Sequence, residues 1–254
     1  MAKTPTPKLQ NPPIVEAVFD VDCDLPPGFD LAVLEGPSRA RFVDVYPKFQ
    51  TQFMQELNLE TAAGAPPNMT TRVAVQSLQF RHEDEKQIVQ VRAQGFSFNR
   101  LAPYTSLDDY LPEIERTWRL YVDLVLPVQI RAIRLRYINR ILLPMTANAV
   151  DLAEFLKIGP RLPDEEGLVL SGFLSQQSAI EKDTGLQVNL VLTAQDRVNE
   201  KLPVILDITV ASAAILAEPA DWLKMRPSID ALRALKNRIF ENTLTAKCIE
   251  LFQS

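Results

Sequence analysis

Between Val128 and Ile141 the chain alternates with a period of two. Ile133, Leu135, Tyr137 and Ile141 share one side, Arg134, Arg136 and Arg140 share the other, and Ile138 alone interrupts the second set. A helix cannot gather that pattern into one apolar stripe, whereas a strand with one buried and one wet face requires it. The wet face also predicts an antiparallel sheet, because parallel strands covered on both faces read as continuous apolar runs. Three arginines in seven residues on one side repel one another. Carboxylates on neighbouring strands, or an anionic ligand, are expected to compensate them.

The same alternation recurs elsewhere. From Glu16 to Leu25 it puts Ala17, Phe19, Val21, Cys23 and Leu25 on one face and Glu16, Asp20, Asp22 and Asp24 on the other. Gln90, Arg92 and Gln94 alternate with Val89, Val91 and Ala93; Gln187 and Asn189 with Leu186, Val188 and Leu190; Asp207 and Thr209 with Leu206, Ile208 and Val210. Strands are expected at 70–81 and 86–98, joined by the polar turn His82-Glu83-Asp84-Glu85, and near 168–180, 185–195 and 203–211, with Thr184-Gly185 as a hairpin turn.

Helical spacing takes over between these runs. Ser106 caps a helix that carries Leu107, Tyr110, Leu111, Ile114, Trp118, Tyr121, Val122 and Val125 on one stripe and stops at Pro127; Ser228 is expected to cap another, with Ile229, Leu232, Leu235, Ile239 and Phe240 buried. A short helix is expected near 149–157. From about Asp30 the three- and four-residue steps of Phe42, Val45, Tyr46, Phe49 and Phe53 predict two or three short helices broken at Gly36-Pro37 and Pro47. Residues 58–68, with Gly64, Pro66 and Pro67, are expected to form a surface loop.

Each half then reads strand, helix, antiparallel strands, long helix. The expectation is an α+β fold, an antiparallel sheet backed by helices, with two similar halves at 14–127 and 128–254 in one compact unit behind a flexible Pro-rich tail at 1–13. In outline this is like the saddle of TATA-binding-type and helix-grip folds. Phe98-Asn99-Arg100-Leu101 and Ile138-Asn139-Arg140-Ile141 echo one another at the ends of strands and point to an internal duplication. A chain of 254 residues buries enough surface to need neither disulfide nor metal.

Several function classes fall away. A net charge of −5 gives no global pull toward nucleic acid or anionic lipid, which argues against duplex binding. No apolar run approaches 18 residues, so a cytoplasmic protein without a membrane span is expected, with Cys23 and Cys248 reduced and structural. None of the eight glycines has phosphate-loop spacing, and no GxSxG elbow occurs, so no cofactor and no catalytic residue is expected. His82, the only histidine, lies in a charged turn without a nucleophile beside it. Asp20, Asp22 and Asp24 have the oxygen ligands that Mg²⁺ or Ca²⁺ takes, but Leu25 and Leu31 stand where a calcium loop needs Gly and Glu. A solvated acidic face is therefore the leading reading there, and a metal-dependent hydrolase or nuclease the alternative.

The remaining candidate is the polar face itself. Arg134, Arg136, Arg140, Arg92, Gln90, Gln94 and Asp207 are expected to share it, with Phe96 and Phe98 at its border. Guanidinium forks suit bidentate anions, so the expected role is non-catalytic binding of a phosphate-bearing small molecule, a protein partner or a second copy of the chain.

Asn11-Pro12-Pro13-Ile14-Val15-Glu16-Ala17-Val18-Phe19, Tyr46-Pro47-Lys48-Phe49, Phe96-Ser97-Phe98-Asn99-Arg100-Leu101 and Arg134-Leu135-Arg136-Tyr137-Ile138-Asn139-Arg140-Ile141 occur in this order. Together they resemble a sporadically distributed family of uncharacterised bacterial and archaeal proteins, over nearly the whole chain. The resemblance implies no activity, cofactor or site residue. The family's patchy distribution is compatible with mobile or defence-associated genes, and a toxin–antitoxin or phage-defence component acting through a partner protein is a further alternative.

Overall fold

Antiparallel pairing sets opposed residues on the same side, so alternation along single strands becomes a face of the whole sheet. The computed structural model describes residues 9–60, 68–146, 149–161, 163, 168, 170–213, 216 and 218–253. Its strands are β1 (Ile14–Asp24), β2 (Lys48–Glu60), β3 (Asn68–Arg81), β4 (Gln87–Arg92), β5 (Gly95–Leu101), β6 (Gln129–Pro144), β7 (Leu174–Ile180), β8 (Gln187–Ala194) and β9 (Lys201–Ser212). They form one open antiparallel sheet in the order β2-β3-β4-β5-β1-β6-β9-β8-β7. β1 and β6 pair at the centre, and hairpins run outward from each, so both halves of the chain share a single sheet.

The helices are α1 (Glu35–Phe42), α2 (Leu107–Val125), α3 (Leu152–Phe155), α4 (Trp222–Thr243) and α5 (Ala246–Glu250). The three longest, α1, α2 and α4, pack on the apolar face. Phe42 of α1 stacks on Phe80 at 4.7 Å, Trp118 of α2 meets Phe96 edge-on at 5.6 Å, and Trp222 of α4 meets Phe19 edge-on at 6.3 Å. Val21, Val89, Val91, Ile133, Leu206, Ile208 and Val210 complete that buried layer. Each such side chain contributes roughly 1.5–3 kcal/mol relative to exposure. Trp118 also donates its indole N–H to the carbonyl of Pro219 at 2.9 Å, which ties α2 to the start of α4. No described helix is long and apolar enough to cross a membrane.

Several expectations need correcting. Phe49 and Phe53 belong to a strand, β2, and not to a helix, and the expected loop at 58–68 is strand at Asn58–Glu60 and again at Asn68, with 61–67 outside the described residues. The aromatic spacing 42, 46, 49, 53 satisfies a helical period, but Phe49, Thr51 and Phe53 also alternate, and pairing with β3 selects the strand. The run 86–98 is two strands that meet in a tight turn, so Gln94 sits in that turn and not on the polar ladder. Phe96 and Phe98 lie fully buried under the helices, not at the border of the polar face. Helix α4 starts about two turns earlier than a cap at Ser228 would allow: Asp221 is its cap and accepts from Leu223 N and Lys224 N, so Pro227 falls inside the helix. Residues 9–13 are not a free tail, since Leu9 packs against the core and Asn11 N donates to Phe252 O at 3.0 Å; the rest of the expected tail, 1–8, is outside the described residues.

Candidate functional site

The register assembles the polar face row by row. Asp20 on β1 stands opposite Ser97 on β5 and Arg134 on β6. Arg136 stands opposite Thr209 on β9, which faces Asn189 on β8. Gln79 on β3 faces Gln90 on β4, which faces Ser97. Six of the seven sequence-derived site residues therefore share one face, with Gln94 as the exception.

Carboxylates from neighbouring strands compensate the arginines. Asp22, with its side chain only 13% exposed, accepts from Arg92 Nη2 at 3.1 Å and from Arg134. Arg92 also donates to the carbonyl of Phe96 at 3.1 Å and lies 3.6 Å from Asp20, which accepts from the Ser97 hydroxyl. Arg136 makes a two-pronged contact with Asp207, Nε to Oδ2 at 2.9 Å and Nη2 to Oδ2 at 2.5 Å, with Nε also 3.0 Å from Oδ1. These bonds hold its guanidinium above the usual arginine range. Arg140 donates to Gln195 Oε1 at 3.1 Å, and Arg131 meets Asp24 at 3.1 Å. A second chain of bonds runs from Gln79 through Gln90 and Asn99 to Glu16, at 3.1, 3.0 and 2.7 Å.

Asp20, Asp22 and Asp24 are thus acceptors for Ser97, Arg92, Arg134, Gln129 and Arg131. Among the described residues no three His, Cys, Asp or Glu side chains are grouped to hold a metal ion. Beside Arg134 the face dips into a groove of about 650 Å³, lined by Thr209, Asn189, Gln187 and Ile180. His82 is half-exposed at the β3–β4 turn, its Nδ1 2.9 Å from Asp84 Oδ1. Cys23 and Cys248 are free and buried, and burial pushes both thiols up to about 12.

A second concavity, on the helix side, escapes sequence reasoning. About 560 Å³ in volume, it lies between the first turn of α2, the fourth to sixth turns of α4 and the start of β1, with Tyr104, Tyr137 and Asn139 also lining it. Tyr104 and Tyr137 share a hydroxyl–hydroxyl bond of 3.0 Å, and burial pushes both phenols up. Arg233 donates Nη1 and Nη2 to the two carboxylate oxygens of Asp108, each at 2.7 Å. One turn on, Lys236 Nζ sits 4.0 Å from the centre of the Tyr137 ring. Burial, reinforced by Arg233, pulls the Lys236 pKa down to about 8. The one sequence signal for this site is two cations three residues apart, Arg233 and Lys236, beside the buried Leu232 and Leu235.

A scan against protein-family models finds none that matches this chain, and a search of curated proteins finds none either.

Proposed function

We propose that this chain is a non-catalytic interaction protein whose polar sheet face docks a protein partner. The observation that carries this reading is the charge balance of the face. Around the central ion pairs, Arg92, Arg131, Arg134, Arg136 and Arg140 stand against Glu16, Asp20, Asp22, Asp24 and Asp207, while Arg81 further out is held by Gln50 and Gln79. An anion would have to compete with carboxylates already in place, whereas a neutral surface dense in fixed donors and acceptors suits the polar part of a protein interface. The helices lie on the other side of the sheet, and the groove beside Arg134 is wide enough to receive partner side chains.

A phosphate-bearing molecule is the second reading, favoured by Arg134 alone, whose side chain keeps 31% of its surface exposed over that groove. The resemblance to a sporadic bacterial and archaeal family supports a partner drawn from neighbouring gene products, as in a toxin–antitoxin or defence pair. A reducing cytoplasm suits the two unpaired buried thiols. The similar run of hairpins outward from β1 and from β6 fits an internal duplication.

Co-purification from the native host, with the wild type and Thr209→Arg compared side by side, tests the assignment. Thr209 takes no part in the ion pairs, so the variant should fold normally and lose the partner, while Leu223→Glu on exposed α4 surface keeps it. Equal recovery of the partner by wild type and Thr209→Arg would overturn the reading.

A further inference from the structure

The helix-side cavity has a wall of apolar side chains, Leu9, Pro12, Ile14, Leu107 and Phe240, and a polar end where Lys236 and Arg233 come together. Its volume of about 560 Å³ falls within the range of small-molecule sites. The charges around it are unequal in their commitments. Arg233 is held on both prongs by Asp108. Lys236 makes no ion pair and no hydrogen bond among the described residues; its near neighbour is the face of Tyr137, a contact that stabilises an ammonium by only about 0.5–2 kcal/mol.

The other charged groups near Lys236 are Arg233, Glu241, Asp108 and Asp109. Arg233, on its own helix, repels it, and Glu241, one turn further on, attracts it, yet burial and Arg233 together outweigh Glu241. Asp108 is taken by Arg233, and Asp109 lies on the cavity wall at the first turn of α2. That turn also directs the positive end of a 19-residue helix toward the cavity. A partly buried ammonium with no carboxylate in contact is costly in an empty site and is repaid by an anion that enters it.

We propose that this cavity binds a small amphipathic monocarboxylate, with its carboxylate on Lys236 and its aromatic or alkyl body against Leu107, Phe240 and the Pro12–Ile14 wall. A single free cation selects a single negative charge, because the Arg233 guanidinium is already neutralised. The site lies on the opposite side of the sheet from the polar face, and neither assignment depends on the other.

Calorimetry on the full chain tests it with four probes of stated chemistry: 2-naphthoate and decanoate, and their uncharged counterparts 2-naphthalenemethanol and decanol. At least one acid should bind at one site per chain at pH 7.5, at least ten-fold more tightly than its alcohol. Lys236→Met should weaken that acid at least ten-fold while the melting temperature stays level or rises, which separates loss of the site from loss of the fold. A carboxylate beside Lys236 favours the ammonium, so binding to the wild type at pH 8.5 should take up part of a proton, read as a heat that changes with the buffer's ionisation enthalpy. That uptake should vanish in Lys236→Met. Absence of saturable binding by both acids, equal affinity for acid and alcohol, or undiminished binding by a folded Lys236→Met would each overturn the proposal.

Discussion

Asp22 accepts from two guanidiniums, Arg92 reaching it from β4 and Arg134 from β6, with little of its own side chain in water. Asp22→Ala would leave two partly buried cations facing each other. The expected cost is about 2–4 kcal/mol in urea-denaturation midpoint experiments. Arg136→Gln should cost less, about 1–2 kcal/mol, because the 46% exposure of Arg136 lets solvent screen what is lost, although Asp207 at 12% exposure is left without its fork. Lys236 has the opposite sign. Its folded pKa, about 8, lies below the ordinary 10.5, so the unfolded chain binds more protons between those values and stability rises with pH across that window. Lys236→Met should therefore raise stability at pH 7, by an amount on the order of 1–3 kcal/mol, and the gain should shrink to nothing by about pH 10.5. Thermal melts of both proteins at pH 7, 9 and 10.5 check this.

At the scale of the element, what was legible in the sequence is what depends on local parity. The faces of β1, β6, β8 and β9 and the stripe of α2 follow from side-chain direction alone, and six proposed site residues came out on one face for that reason. Where two periods fit the same residues, as at Phe49 and Phe53, only the pairing partner decides, and that partner is another element. In both long helices a proline is the sixth residue, Pro112 in α2 and Pro227 in α4, and the expected cap Ser228 stands directly after Pro227 while the real cap, Asp221, lies before it. The turn between β4 and β5 has no strong sequence signature beyond Gly95, yet it is tightly fixed. Gly95 has φ +149°, and a Cβ there would lie 2.0 Å from the carbonyl oxygen of Val21 on β1. Gly95→Ala should lower stability by more than about 3 kcal/mol, or prevent soluble expression, because strand backbone must move to admit a methyl group. A melting temperature unchanged from wild type would contradict that close approach.

At the scale of the whole molecule, the helix-side cavity was invisible because its members are distant in sequence. Asp108 and Arg233 are 125 residues apart, and Tyr104 meets Tyr137 across the boundary between the two halves. The same boundary is crossed by the β1–β6 pairing, by Phe19 against Trp222 and by Trp118 on Pro219. Fragments 1–127 and 128–254 expressed separately should therefore lack near-ultraviolet circular dichroism, and co-expression should restore a complex with native signal. A fragment that unfolds cooperatively on its own would show that the halves are independent.

The position of β1 also has a consequence during synthesis. Its bonds to β5 and β6 join residues 77 and 112 apart, as in Ser97 to Asp20 and Arg134 to Asp22. At about 5–20 residues per second, roughly 4–20 s of translation separate this strand from its flanks. For that time Phe19 and Val21 have no cover, and a strand of this kind is prone to join others like it. Asp20, Asp22 and Asp24 oppose that outcome, since three like charges along one edge make two nascent chains poor partners. The carboxylates that later fasten the arginines would first serve as gatekeepers, keeping the centre of the sheet unpaired until its own neighbours leave the ribosome.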